Sequence, residues 1–294
     1  MKVRIAVSIG LGAPDRVVLA ETAAEAEERG FDTLWVSDLP SLPAVEPSLA
    51  LAFVASRTRR VRLGANFIPF GSEPYVVAHR LAQLDRLTDG RLLVTLVPGL
   101  DLAEERTALG TAGRHRGRMM EEVVPMLRRW WAGEAADGSG ARLPVLPVQQ
   151  PLEVWLGGAG PDAIGRAGRV ADGWLGSLVS PALAGRVRSS IQDEAARAGR
   201  HIDPEHFGLA IGYARRPEDV GRAARLPGRR RRLEDVELSE LVPVGEQGLR
   251  TLLGRLVDEG LSKFVVRPLL APQSLHDWSE ELAWLADTVL ELQT

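Results

Sequence analysis

A closed (β/α)8 barrel is the fold this sequence predicts, and three observations predict it. Short β-branched and aliphatic runs alternate from end to end with longer amphipathic stretches, the pattern of repeated βαβ units. Eight such cycles can be counted, evenly enough spaced that no reversal of strand order shows, whereas a doubly wound sheet would need one. The 294 residues exceed the roughly 250 typical of this barrel, so one domain over 1–294 can hold the core and still carry rim insertions.

In chain order, Lys2 and Arg4 alternate with apolar residues and the segment 4–9 runs straight into Gly10, with no long apolar segment or cleavage site, so it reads as a first strand and not a secretion signal. Residues 17–29 follow as a helix stopped by Gly30, with Ala20, Ala23 and Ala26 at helical spacing; small side chains there let it lie close on the strands. Strands are expected at 33–37, 61–68 and 92–97, with a helix over 74–88 that ends near Gly90. The stretch AGEAADGSGARLPVLPVQQPLE, rich in Gly and Pro, reads as a rim insertion near 133–153. Further strands are expected at 154–156, 173–178, 207–213 and 263–267, and a helix over 249–259 runs up to Gly260. A second insertion, near 214–245, holds the basic run Arg229 to Arg232 ahead of an acidic stretch; such runs are usually solvated loops, with a grip on an anionic tail or nucleic acid as the alternative. The tryptophans fall mostly at helical spacing or strand ends, which reads as core packing.

Composition narrows the partners. A formal charge of −3 argues against nucleic acid and acidic membranes, and leaves a small-molecule substrate. The absence of cysteine excludes disulfides, thiolate nucleophiles and thiolate-bound metals, and fits a cytoplasmic protein. No apolar run approaches the roughly 20 residues that span a bilayer. Histidines at 79, 115, 201, 206 and 276 form no pair at metal-ligand spacing, so no metal is expected. A G-x-S-x-G elbow, a Walker A sequence and a clean G-x-G-x-x-G are all missing.

In such a barrel the chemistry sits where the strands end. The residues to weigh are Ser8, Gly10, Asp38, Asn66, Phe67, Pro98, Gly99, Ser177, Arg267 and the run Gly157, Gly158, Ala159, Gly160. The last is the sharpest motif: in VWLGGAGPDAIGRAG a strand passes through glycines into a helix opened by Pro161. Glycines admit a close-lying phosphate, and first-turn amides with the helix dipole favour it by about 0.3–1 kcal/mol; a plain tight turn is the other reading. Asp38 either accepts a hydrogen bond from a cofactor ring nitrogen or simply shapes a turn. Asn66 and Phe67, taken alone, are a polar residue and a core aromatic.

Together AEERGFDTLWVSD, RTRRVRLGANFIPF, QLDRLTDGRLLVTLVPG, HRGRMMEEVVPMLRRWWAGE and PLEVWLGGAGPDAIGRAGRVADGWLGS resemble the luciferase-like monooxygenase superfamily, most closely its F420-dependent oxidoreductase branch. The resemblance implies a homodimeric barrel that binds coenzyme F420, or alternatively FMN, at its mouth and moves hydride equivalents to or from a small organic substrate. It implies Asp38 beside the cofactor ring, Asn66 and Phe67 in a bulged third strand with a non-prolyl cis peptide behind the ring, Gly99 at a close approach, and Gly157, Gly158, Ala159 and Gly160 around the cofactor phosphate. Leu39 and Leu100 depart from the family's sugar-phosphate dehydrogenases, which carry His and Glu there, so that substrate is not expected and no catalytic residue is assigned. An FMN-dependent monooxygenase and a non-catalytic flavin-binding or F420-binding relative are the competing readings.

Overall fold

The computed structural model describes residues 1–10, 15–136, 138–224 and 241–294. Among them eight parallel strands pair in chain order, and the last returns to the first to close the barrel: β1 (Arg4–Ser8), β2 (Thr33–Ser37), β3 (Arg62–Phe67), β4 (Leu92–Leu96), β5 (Val154–Leu156), β6 (Gly173–Ser177), β7 (Phe207–Tyr213) and β8 (Lys263–Pro268). Every expected strand is present, with ends moved by at most one residue. The α-helices among the described residues are α1 (Arg16–Arg29), α2 (Pro47–Ala55), α3 (Pro74–Leu87), α4 (Ala103–Ala108), α5 (Arg116–Trp131), α6 (Pro161–Val170), α7 (Pro181–Arg197), α8 (Pro217–Ala224), α9 (Gly245–Asp258) and α10 (Leu275–Val289).

Local chemistry sets the helix ends. Asp15 caps α1 by accepting from the amides of Val17 and Val18, and Gly30 ends it at φ 94°, a left-handed turn that glycine adopts without strain. Ala20, Ala23 and Ala26 are buried against the strands, as their spacing predicts. Helix α9 starts four residues earlier than expected, because the start at Gly245 is set by the chain leaving β7: Gly245 donates to Ala214, and Ala214 donates to Pro243. The insertion near 214–245 therefore has its two ends pinned together, while Arg229 to Arg232 lie outside the described residues. Among its described residues the other insertion carries neither helix nor strand. It is fastened by the fully buried Asp85, whose carboxylate accepts from the amides of Val148 and Gln149 and from the Gln149 side chain at 2.6, 2.9 and 2.6 Å.

Side chains alternate between the two faces of each strand. The outward set, including Leu34, Leu63, Val94, Leu156, Phe207 and Phe264, forms the main core under the helices. The inward set forms a separate cluster of Ala6, Trp35, Leu175 and Val265, with Leu93, Trp155 and Ala210 against it. The packing role read for the tryptophans holds at Trp35 and Trp155, which lie within strands and fill the barrel interior. Each indole is seated on a glycine that is its register partner on the next strand: Trp35 on Gly64 and Trp155 on Gly173. A Cβ added at Gly64 would lie 2.3 Å from the Trp35 ring, and one at Gly173 would lie 2.4 Å from the Trp155 ring. Interiors this tightly packed do not absorb an extra carbon. Gly64→Ala is expected to cost about 1–3 kcal/mol in urea unfolding, and Gly64→Ala with Trp35→Leu should recover most of it.

Candidate functional site

Above the two indoles the barrel opens into a mouth lined by small and polar inward positions: Ser8, Ser37, Asn66, Gly157, Ser177 and Gly212, with Arg267 at the end of β8. Asn66 donates through Nδ2 to the Ser37 hydroxyl at 3.0 Å. Its Oδ1, and Oγ1 of Thr95 on the neighbouring strand, are buried with no hydrogen-bond partner. Unpaired buried polar atoms are uncommon in native folds and mark places where something else is to be bonded.

Asp38 follows β2 directly and is locked to the end of β3. Its amide donates to the Asn66 carbonyl at 2.9 Å, and its carboxylate accepts from the Ile68 amide at 3.2 Å. Burial pushes the Asp38 carboxyl above the ordinary range; the Ile68 bond and Arg80 oppose this, while Glu46 and Glu105 add to it. A carboxyl whose folded pKa is raised takes up its proton more readily in the folded state, so its ionisation costs stability as pH rises through that pKa. Asp38→Asn, which keeps an acceptor for Ile68, is therefore expected to raise the melting temperature at pH 7, and the gain should shrink as pH falls toward 4. A variant that melts lower at pH 7 would contradict this account of the carboxyl.

The third strand corrects an expectation. Asn66 and Phe67 continue the ladder without interruption, opposite Thr95 and Leu96, so β3 carries no bulge at this point. The cis peptide found among the described residues is Gln150–Pro151, and the Asn66–Phe67 bond is trans. Regular pairing on both sides holds the strand extended. It also turns the Phe67 side chain outward into the main core, so Asn66 faces the mouth and Phe67 does not.

After β4, Gly99 sits at φ 79°, and a Cβ there would meet Glu105 Oε1 at 2.7 Å. The close approach at this glycine is thus to the protein's own carboxylate. Glu105, on α4, is 2% exposed and accepts from the Leu100 amide at 2.6 Å and the Ser41 hydroxyl at 2.7 Å, tying the loop after β4 to the loop after β2. Arg116 braces the same loop from the other side by donating to the carbonyls of Pro98 and Leu100 at 2.9 and 2.8 Å. Pro98 is exposed and Leu100 half-buried. Nothing in the sequence singled out Glu105, because its partners are distant in the chain or are backbone.

The loop Gly157, Gly158, Ala159, Gly160 leads into α6, whose N-terminus has no side-chain cap. Gly158 sits at φ 99°, and a Cβ there would lie 2.8 Å from that of Ala163. Trp174 donates through Nε1 to the Gly158 carbonyl at 2.8 Å, which turns the N–H of that peptide plane away from the indole. Pro161 has no N–H and the Ala163 amide donates to the Gly160 carbonyl, so an anion there would be met by the Asp162 amide and the amides of the fixed glycine turn. Further along the helix, half-buried Arg166 stands over Gly117 of α5, and burial lowers its pKa. Two surface hollows lie elsewhere, between α3 and α5 at Tyr75, Met126 and Trp130, and between α1 and α10 at Glu25 and His276. Both are on the flank, away from the strand ends.

A family profile for luciferase-like monooxygenases matches residues 3–227. This chain belongs to the luciferase-like monooxygenase family. Among curated relatives in this family, the F420-dependent glucose-6-phosphate dehydrogenase of Nakamurella multipartita is 30% identical over 207 residues, 63% of this chain and 60% of that protein. The counterpart from Kribbella flavida is 26% identical over 68% of this chain and 66% of its own length. The chain thus spans about two thirds or less of these relatives. Among solved structures, an F420-dependent secondary alcohol dehydrogenase bound to an F420–acetone adduct superposes with a TM-score of 0.80, at 18% identity over 100% of both chains. The FMN-bound oxygenating constituent of the 3,6-diketocamphane monooxygenase of Pseudomonas putida gives 0.77, at 13% identity over 100% of this chain and 99% of that one. At such identities these structures establish the shared luciferase-like barrel. Among the described residues no helix is long and apolar enough to cross a membrane, and no cluster of three metal-ligating side chains occurs.

Proposed function

We propose that this chain is an F420-dependent oxidoreductase whose cofactor ring lies in the barrel mouth with its phosphate on the Gly157–Gly160 loop. The observation that carries the reading is that loop: an uncapped helix start behind a glycine turn, opening on the same mouth as Asp38 and the unpartnered Asn66 carbonyl. The F420-dependent relatives named above point the same way. F420, when bound, supplies or accepts the hydride, and the protein supplies orientation and electrostatics. Asp38 holds a carboxyl beside the ring, Glu105 and Arg116 hold the loop after β4 in place, and Gly158 lets the backbone close on the phosphate. Leu39 and Leu100 bring no proton-transfer group to the mouth, so the proposed substrate is a small organic molecule other than a sugar phosphate.

The test is titration of purified protein with F420 and, separately, FMN, followed by fluorescence. Micromolar or tighter F420 binding supports the reading, preferential FMN binding turns it toward a flavin monooxygenase with the same fold as the FMN-bound neighbour, and binding of neither defeats it. The proposal extends to a cytoplasmic homodimer. Leu49 and Phe53, one turn apart on α2, are 69% and 37% exposed, an apolar strip that a second copy would cover. Sedimentation as a monomer at micromolar concentration would remove that part.

A further inference from the structure

We propose that Asn66 and Thr95 form a recognition pair for the imide edge of the bound ring, the Asn66 carbonyl accepting its N–H and the Thr95 hydroxyl donating to a carbonyl oxygen beside it. The inference rests on the cofactor reading above and adds to it the atoms that read the ring.

Asn66 and Thr95 are register partners on β3 and β4, and both face the interior. Adjacent strands place such side chains about 5 Å apart. The Asn66 amide has committed its NH2 to Ser37, which fixes its carbonyl as the remaining hydrogen-bonding atom. Thr95 is 1% exposed, and its hydroxyl has no partner. Two other unpartnered polar atoms inside the barrel, Nε1 of Trp35 and of Trp155, come attached to rings that fill space over glycines, so packing accounts for them. Packing does not account for Thr95, because valine has the same shape and leaves no buried hydroxyl unpaired. An acceptor beside a hydroxyl donor matches an N–H flanked by carbonyl oxygens, an edge that flavins and deazaflavins share. The inward residues around the pair, Ser8, Gly157 and Ala210, are small.

The experiment compares wild type, Thr95→Val and Thr95→Ser for two readouts: the dissociation constant for whichever of F420 or FMN the wild type binds, and the melting temperature without ligand. The expected result is at least tenfold weaker binding in Thr95→Val, near-wild-type binding in Thr95→Ser, and a ligand-free Thr95→Val that melts at or above the wild-type temperature. Unchanged affinity in Thr95→Val overturns the inference and leaves the cofactor reading standing. A ligand-free Thr95→Val that melts several degrees lower also overturns it, since the hydroxyl would then serve the fold. A wild type that binds neither ring fails at the earlier step and takes both readings with it.

Discussion

Replacing Lys263 with Met is expected to cost about 3–5 kcal/mol of folding free energy, the largest effect of any single change considered for this barrel. Lys263 is the inward residue that opens β8, and it is almost wholly buried at the base of the barrel interior. Its ammonium donates to the Asp32 carboxylate and to the Thr33 hydroxyl on the far side of β1. Removing one member of such a pair strands the other charge in a medium that solvates it poorly. Asp32→Asn combined with Lys263→Met should therefore recover much of the loss; chemical unfolding of the two single variants and the double variant measures the coupling.

The same pair makes stability depend on pH at both ends. Burial lowers the Lys263 pKa to about 8, against the pull of Asp32. The unfolded lysine titrates near 10.4, so between these values the unfolded chain binds more protons and stability rises with pH. Burial raises the Asp32 carboxyl, but the Lys263 charge and hydrogen bond and the Thr33 hydroxyl outweigh it and leave the pKa depressed. Stability from Asp32 is present above the ordinary carboxylate range and is lost as pH falls through the depressed value. Unfolding midpoints that stay flat from pH 8 to 10 in wild type, or that rise equally in Lys263→Met, would contradict this.

Gly158→Ala is expected to weaken cofactor binding by roughly 10–100-fold while leaving the phosphate-free deazaflavin riboside nearly unaffected. Two costs coincide at this position. An alanine at φ 99° is strained by about 1–3 kcal/mol, and its Cβ would press on Ala163 in the first turn of α6. Relief requires moving the loop or the helix start, the two parts that would hold the phosphate. Since 1.4 kcal/mol is a factor of ten in affinity, the strain alone spans most of the range. Equal weakening of the riboside would place the damage at the ring and not at the phosphate.

Much of this architecture was legible because parallel strands buried on both faces leave short aliphatic runs, such as IAV in β1 and FVV in β8, that stand out between helices closed by glycine. The glycine loop at 157–160 was legible for the same local reason: it needs only a strand, glycines and a helix start in succession. Glu105 was not, since its partners Ser41 and the Leu100 amide meet it through tertiary contact. Trp174, read as packing, also fixes the Gly158 carbonyl, a bond that appears only once β6 lies beside β5. The trans, ladder-bonded Asn66–Phe67 segment departs from what the family resemblance implied, because strand pairing on both sides governs its backbone.

By itself the sequence determined which segments become strands, where the helices ending at Gly30, near Gly90 and at Gly260 stop, and which glycines open the phosphate-type turn, all matters of propensity within a few residues. Closure of the barrel decided the rest: that Trp35 and Trp155 find glycines opposite them, that Lys263 meets Asp32, and that Asn66 and Thr95 stand side by side with an acceptor and a hydroxyl unspent. Those outcomes depend on the register between strands that bring together residues 18 to 231 positions apart in the chain, which is fixed only when every face of the sheet is packed at once.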